Sequence, residues 1–218
     1  MTPPSALATD RLWEVVTAHR VAVADLLDGL AAEQWDRPSL CAGWTVRDVA
    51  AHLTLQQLGL RDVVGTMLHW RGTMDRTIAD AARRRAAAWS TAQIAANIRD
   101  TAGVRRPNLG VTPLETLTDI LVHSQDIARP LGLPLDLPTD ASAASATRSL
   151  TMRWPAPLPS VRIVRRFTLT ATDLDWSAGT GPQVSGRISV LLLIICGRIA
   201  ALPQLSGDGV PDLTAAFA

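Results

Sequence analysis

Three helix starts are written into the first 130 residues, and they constrain the fold more than any other feature. Thr45, Ser90 and Thr112 are followed three places later by Asp48, Gln93 and Glu115. In a capping box the hydroxyl accepts from the backbone N–H three residues on, and that residue's side chain reaches back to the cap. Pro113 then suits the first helical position, where a missing N–H costs nothing.

The runs that follow have helical spacing. Leu12, Val15, Val16, His19, Val23, Leu26, Leu27 and Leu30 form one apolar stripe after a cap at Thr9 or Asp10. Val46, Val49, Leu53, Leu60, Val63, Val64 and Met67 form the stripe of the helix opened by Thr45. An Ala-rich helix is predicted over 73–89, and its run Arg83, Arg84, Arg85 reads as a solvated face. Ser90 opens a helix to about Ala102, and Thr112 opens one that Pro130 and Gly132 end. Four long helices with short connections predict an antiparallel four-helix bundle.

After Gly132 the texture changes. A Pro- and Leu-rich linker leads to a helix over 140–153, and the stretch from Trp154 to Pro159 is a second break. Val161, Ile163, Val164, Phe167, Leu169 and Thr170 predict a strand, and Gln183 to Ser185 start another. Ile188 to Leu202 reads as an apolar helix, and Leu213 to Phe217 as a last amphipathic piece. The expected fold class is therefore mainly α with α+β: a helical bundle over 1–139 and a small α+β domain over 140–218.

Composition removes several chemistries. All 21 basic residues are Arg, and Lys and Tyr are absent. No internal Schiff base, P-loop lysine or tyrosine general acid is available. A net charge of +1 argues against a dedicated nucleic-acid binder. Cys41 and Cys196 stand alone, which excludes a CxxC pair and a four-thiolate site. The amino terminus lacks a basic segment followed by an apolar one, so no secretory signal is expected. The apolar run from Ile188 to Cys196 is too short to span a bilayer. These features predict a cytoplasmic protein that engages neither membranes nor nucleic acid.

The histidines carry the chemistry. Asp119, His123 and Asp126 stand at i, i+4 and i+7 on one helix face among Leu114, Leu117, Ile120, Leu121 and Ile127. His52 lies on the helix opened by Thr45. A carboxylate and an imidazole four apart, joined by a histidine from a facing helix, can form a three-ligand metal site in a bundle. Two nitrogens and one oxygen suit zinc with an open coordination position, and other divalent metals as well. The same spacing also describes an ordinary ion pair. His19 and His69 have no such partners and read as structural.

Three separated motifs add a resemblance. SLCAGWTVRDVAAHL, DILVHSQDIARPLG, and a tail with TDLDWSAGTG, GR and LSGDGV resemble the mycothiol-dependent maleylpyruvate isomerase-like proteins, whose amino-terminal bundle is DinB-like. The resemblance spans nearly the whole chain, in the family's order. It implies a divalent metal, usually zinc, on His52, Asp119 and His123, with Asp119 standing where the family commonly has Glu. It also implies a carboxy-terminal domain that supplies an Arg to the site, for which Arg198 is the best match.

The implied chemistry is that of a metal-bound thiolate. Mycothiol, as cosubstrate, would bind the open position and attack a small electrophile, in S-transfer or in isomerisation. Asp126 would orient a histidine ligand or a bound water, or else pair with Arg129 or Arg20 at the surface. Trp35 and Trp44 flank the loop before His52 as core anchors or pocket walls, and Cys41 reads as a small buried apolar residue. Two other classes stay open: a non-catalytic metal-binding or regulatory module of the same fold, and a metal hydrolase.

Overall fold

The computed structural model describes residues 7–57, 68–107, 110–153 and 156–218. The chain divides into two compact units, one of residues 16–135 and one that joins residues 1–15 to 136–218.

The first unit is helical. α1 (Thr9–Asp28) enters it from Val16 onward, and a short α2 (Ala32–Trp35) follows. α3 (Val46–Leu53) continues as a 3-10 turn over Thr54–Gln57. α4 (Met74–Ala88), α5 (Thr91–Asp100) and α6 (Pro113–Ala128) complete the described helices. The three capping boxes form as expected, and Gly132, in the left-handed conformation, closes the 3-10 turn after α6. Leu60, Val63, Val64 and Met67, which the periodicity assigns to the His52 helix, lie outside the described residues.

α3 is the hub of this unit and packs against α4, α5 and α6. Its inward face, Val46, Val49, Ala50 and Leu53, is buried, as are Leu117, Ile120, Leu121 and Ile127 of α6. Small alanines at Ala50 and Ala51 let neighbouring backbones approach. Arg47 fastens α3 to the end of α4, donating to the carbonyls of Ala86 at 2.9 Å and Trp89 at 2.8 Å. The Arg83–Arg85 run is not one uniform solvated face: Arg83 donates to the Gly43 carbonyl, Arg84 pairs with Asp80, and Arg85 lies 4.1 Å over the Trp89 ring.

The second unit is mixed. Besides the start of α1 it holds α7 (Thr139–Thr151), α8 (Pro159–Val164), three strands, α9 (Ile188–Ile195) and α10 (Val210–Phe217). Arg11 ties α1 to α7 through Asp140 at 2.9 Å. β1 (Thr168–Ala171) lies between β2 (Ser177–Ala178) and β3 (Gln183–Gly186), antiparallel to the former and parallel to the latter. The small face of α7, Ala141, Ser142, Ser145 and Ala146, packs on α9, whose residues other than Ser189 are buried.

Two expectations change here. The strand predicted from Val161 is a helical turn as far as Val164, and only Thr168–Ala171 is extended. Pro159 presets the first turn, and Val161 and Val164, three apart, bury on one helical face. The apolar helix from Ile188 ends at Ile195, because Gly197 turns left-handed and a 3-10 segment over Ile199–Gln204 follows. Among the described residues no helix is long and apolar enough to cross a membrane. Trp154 and Pro155 of the expected break lie outside the described residues.

Candidate metal centre

The capping box of α3 sets the first ligand candidate. The backbone N–H of Asp48 donates to Thr45 Oγ1 at 3.1 Å, and the Thr45 N–H donates back to Asp48 Oδ2 at 3.0 Å. His52 follows two turns on, with its side chain largely buried. α6 supplies the other two: Asp119 and His123 sit one turn apart, and His123 Nε2 lies 3.3 Å from Asp119 Oδ1. His52 Nε2 lies 3.5 Å from the same oxygen. One ligating atom from each of the three residues falls within 4.8 Å of the others, in the one such cluster among the described residues.

These separations are compatible with an ion site. A charge-assisted N–H···O bond closes to about 2.7–2.9 Å. Two ligands of a tetrahedral zinc, each about 2.0–2.1 Å from the ion, stand about 3.3 Å apart. The contacts at 3.3 and 3.5 Å match the second pattern. His52 Nδ1, on the far side of the ring, is buried without a hydrogen-bond partner among the described residues. The donor set, two imidazoles and one carboxylate, fits a divalent metal.

Asp126 is fully buried and lies with its Oδ2 2.8 Å from His123 Nδ1. That contact is short enough for a charge-assisted bond. It commits Nδ1 to carrying a proton and leaves Nε2 facing Asp119. Arg129 donates to Gln125 at 2.7 Å, and Arg20 donates to Gln56 at 3.2 Å.

The electrostatics follow from this packing. For His123 burial opposes the charged imidazolium, but Asp119 and Asp126 outweigh it and raise its pKa from 6.5 to about 9. For Asp119 burial opposes the carboxylate, yet the two histidines hold it well below the usual carboxylate range. The Asp119 side chain keeps 32% of its exposure, so the cluster retains an open side.

Aromatic rings wall the cluster. The half-buried Trp44 ring stacks against His123 at 6.5 Å between centroids and meets His52 edge-on at 5.6 Å. Its loop is tied to α6, since the Leu40 N–H donates to the Asp126 carbonyl at 3.2 Å. Trp35 is instead a buried core residue, so the two tryptophans divide the roles expected of them. Cys41 is half-buried in the same loop. Arg198 belongs to the other unit, where its Nη1 donates to the Cys196 carbonyl at 2.6 Å, beyond the end of α9.

Two residues of the cluster escaped the reading from sequence. Gln56 donates from its amide nitrogen to Asp119 Oδ2, and Arg20 holds the other end of that amide. The signal was present: Gln56 stands four places after His52, and Arg20 interrupts the apolar stripe between Val16 and Ala24. Both were invisible as partners because they meet Asp119 only through the fold.

A helical unit that gathers two histidines and a carboxylate from two helices has the residues with which bundles of this kind can hold a metal ion. Residues 16–116 match the family described as the mycothiol maleylpyruvate isomerase N-terminal domain. The whole fold is similar to the crystal structure of the mycothiol-dependent maleylpyruvate isomerase, with a TM-score of 0.59 and 14% identity over 91% of this chain and 92% of that one. A histidine-to-alanine mutant of that isomerase aligns at a TM-score of 0.61 and 14% identity, covering 95% and 96%. No curated protein sequence matches the chain.

Proposed function

We propose that this protein is a divalent-metal-dependent, mycothiol-using enzyme that acts on a small electrophile by isomerisation or S-transfer. The observation that carries the reading is the convergence of His52, Asp119 and His123 inside a unit whose residues 16–116 match the mycothiol maleylpyruvate isomerase N-terminal domain. Those three residues would hold the metal, with zinc the best match to two nitrogens and one oxygen. When bound, a divalent cation supplies the positive charge that lets a thiol, with a pKa near 8.5, exist as thiolate at neutral pH.

The chain's own residues do the rest. Asp126 accepts a hydrogen bond from His123 Nδ1–H and so keeps Nε2 directed at the cluster. Trp44 shields one side of both imidazoles from water and offers a flat apolar wall to a substrate. The nucleophile comes from the cosubstrate: Cys196 is buried, and neither cysteine stands in a nucleophilic motif. In isomerisation the thiolate carbon–sulfur bond would form at a double-bond carbon, rotation would follow, and the same bond would break to return the thiol. In transfer the bond would persist and a leaving group or a proton would balance it. Arg198, carried over by resemblance, remains the candidate anion-holding residue, since an arginine is always charged.

The test is direct. Protein purified without chelator should hold about one divalent ion per chain, and His52→Ala and His123→Ala should lose it. Holoprotein mixed with mycothiol and maleylpyruvate, or with a dinitrobenzene electrophile, should show thiol-dependent turnover. Absence of stoichiometric metal in the wild type would defeat the reading. Metal content with turnover that ignores the thiol would favour a hydrolase.

A further inference from the structure

Asp119 has two oxygens, and the structure treats them differently. Oδ1 lies 3.3 Å from His123 Nε2, while His52 Nε2 stands 3.5 Å from both oxygens. Oδ2 accepts a hydrogen bond from the Gln56 amide nitrogen. Gln56 is 4% exposed, and its carbonyl oxygen accepts from Arg20 Nη2 at 3.2 Å.

Arg20 cannot exchange these roles. A guanidinium only donates, so the Gln56 oxygen must face it and the amide nitrogen must face Asp119. Arg20 is itself 2% exposed, an unusual burial for a charged side chain. Its Nη1 is shared among the carbonyls of Val104 at 3.0 Å and of Thr101 and Ala102 at 3.4 Å. Those carbonyls lie at the C-cap of α5 and just beyond it, so backbone oxygens following the helix end support the cation. Burial lowers the Arg20 pKa, and the Asp119 charge works against that fall.

We propose that Gln56, locked in one amide orientation by Arg20, is a positioning residue that occupies Asp119 Oδ2 and leaves Oδ1 alone to bind the metal. The inference rests on the metal-dependent reading above and deepens it. Asp has a short stem, and a carboxylate free to rotate would offer both oxygens to an ion. The Gln56 bond removes one oxygen from that competition. It also fixes the carboxylate plane against α3, because Gln56 continues the element that carries His52. One buried amide thereby couples the acid on α6 to the helix of the first histidine.

The experiment uses the whole chain, stripped of metal and titrated with cobalt(II), whose visible absorption reports ligand number and geometry. Wild type, Gln56→Leu and Arg20→Met are compared for affinity, for the cobalt spectrum and for thermal midpoint without metal. Outer contacts to metal ligands typically set affinity by about 10–100-fold, and a loss of that size is expected in Gln56→Leu. The cobalt band should also weaken and shift as both Asp119 oxygens engage. Gln56→Glu, which turns a like charge toward Asp119, should weaken binding further. If the wild type binds cobalt and Gln56→Leu matches it in affinity and spectrum, the positioning role is wrong while the metal reading stands. If the wild type binds none, the metal reading itself fails and takes this inference with it. Should Arg20→Met fold poorly, the Gln56→Leu comparison decides alone.

Discussion

Metal binding to this cluster should compete with a proton on His123. In the metal-free protein burial disfavours the imidazolium, but Asp119 at 3.3 Å and Asp126 at 2.8 Å raise its pKa to about 9. A ligating imidazole must be neutral, so each ion bound below that pH displaces the His123 proton. Affinity should therefore rise with pH, by up to tenfold or about 1.4 kcal/mol for each pH unit between roughly 6.5 and 9. From pH 6.5 to 8.5 the gain is up to about 100-fold. The stability of the metal-free protein runs the other way. A raised pKa stabilises the fold fully below the unfolded value of 6.5, and that contribution is lost as pH rises through about 9. The absence of Lys and Tyr keeps this alkaline window free of most competing titrations. Cobalt titrations at several pH values would measure the slope, and histidine ring resonances of the chelated protein would report the titration itself. An affinity that stays flat from about pH 7 to 8.5, or a His123 resonance titrating near 6.5, would refute the reasoning.

Three further outcomes follow from single contacts. Asp126→Asn should weaken cobalt or zinc binding about 10–100-fold and lower the His123 pKa, since the buried acceptor at 2.8 Å loses its charge; unchanged affinity would leave Asp126 as a packing residue. Thr45→Ala removes the hydroxyl that caps α3 and should cost about 1 kcal/mol in urea unfolding. Gly179→Ala should destabilise the second unit, because Gly179 has φ +85° and a Cβ there would collide with the Phe167 carbonyl. Wild-type stability in that variant would show that the turn before β3 can relax.

Local chemistry in the chain was enough for the capped helix starts of the first unit. Each capping box satisfies its own backbone groups within four residues, so Thr45, Ser90 and Thr112 announce their helices without help from the fold. The spacing of Asp119, His123 and Asp126 was readable for the same reason, since one helix places them on one face. The run from Val161 misled because β-branched residues suit a strand, yet Pro159 and burial at a three-residue spacing made a helical turn.

The absence of Lys and Tyr, the capping boxes and the acid–histidine stripe are thus properties of the sequence alone. Only the tertiary structure brought His52 to that stripe, and only it set the Gln56 amide on Asp119 Oδ2. It also turned Trp44 toward the cluster and left Trp35 to the core. The physical reason is the range of the interaction. A helix cap is settled among neighbours in the chain, whereas Gln56 reaches Asp119 across 63 residues, and Arg20, which holds Gln56, reaches the Thr101 carbonyl beyond α5 across 81.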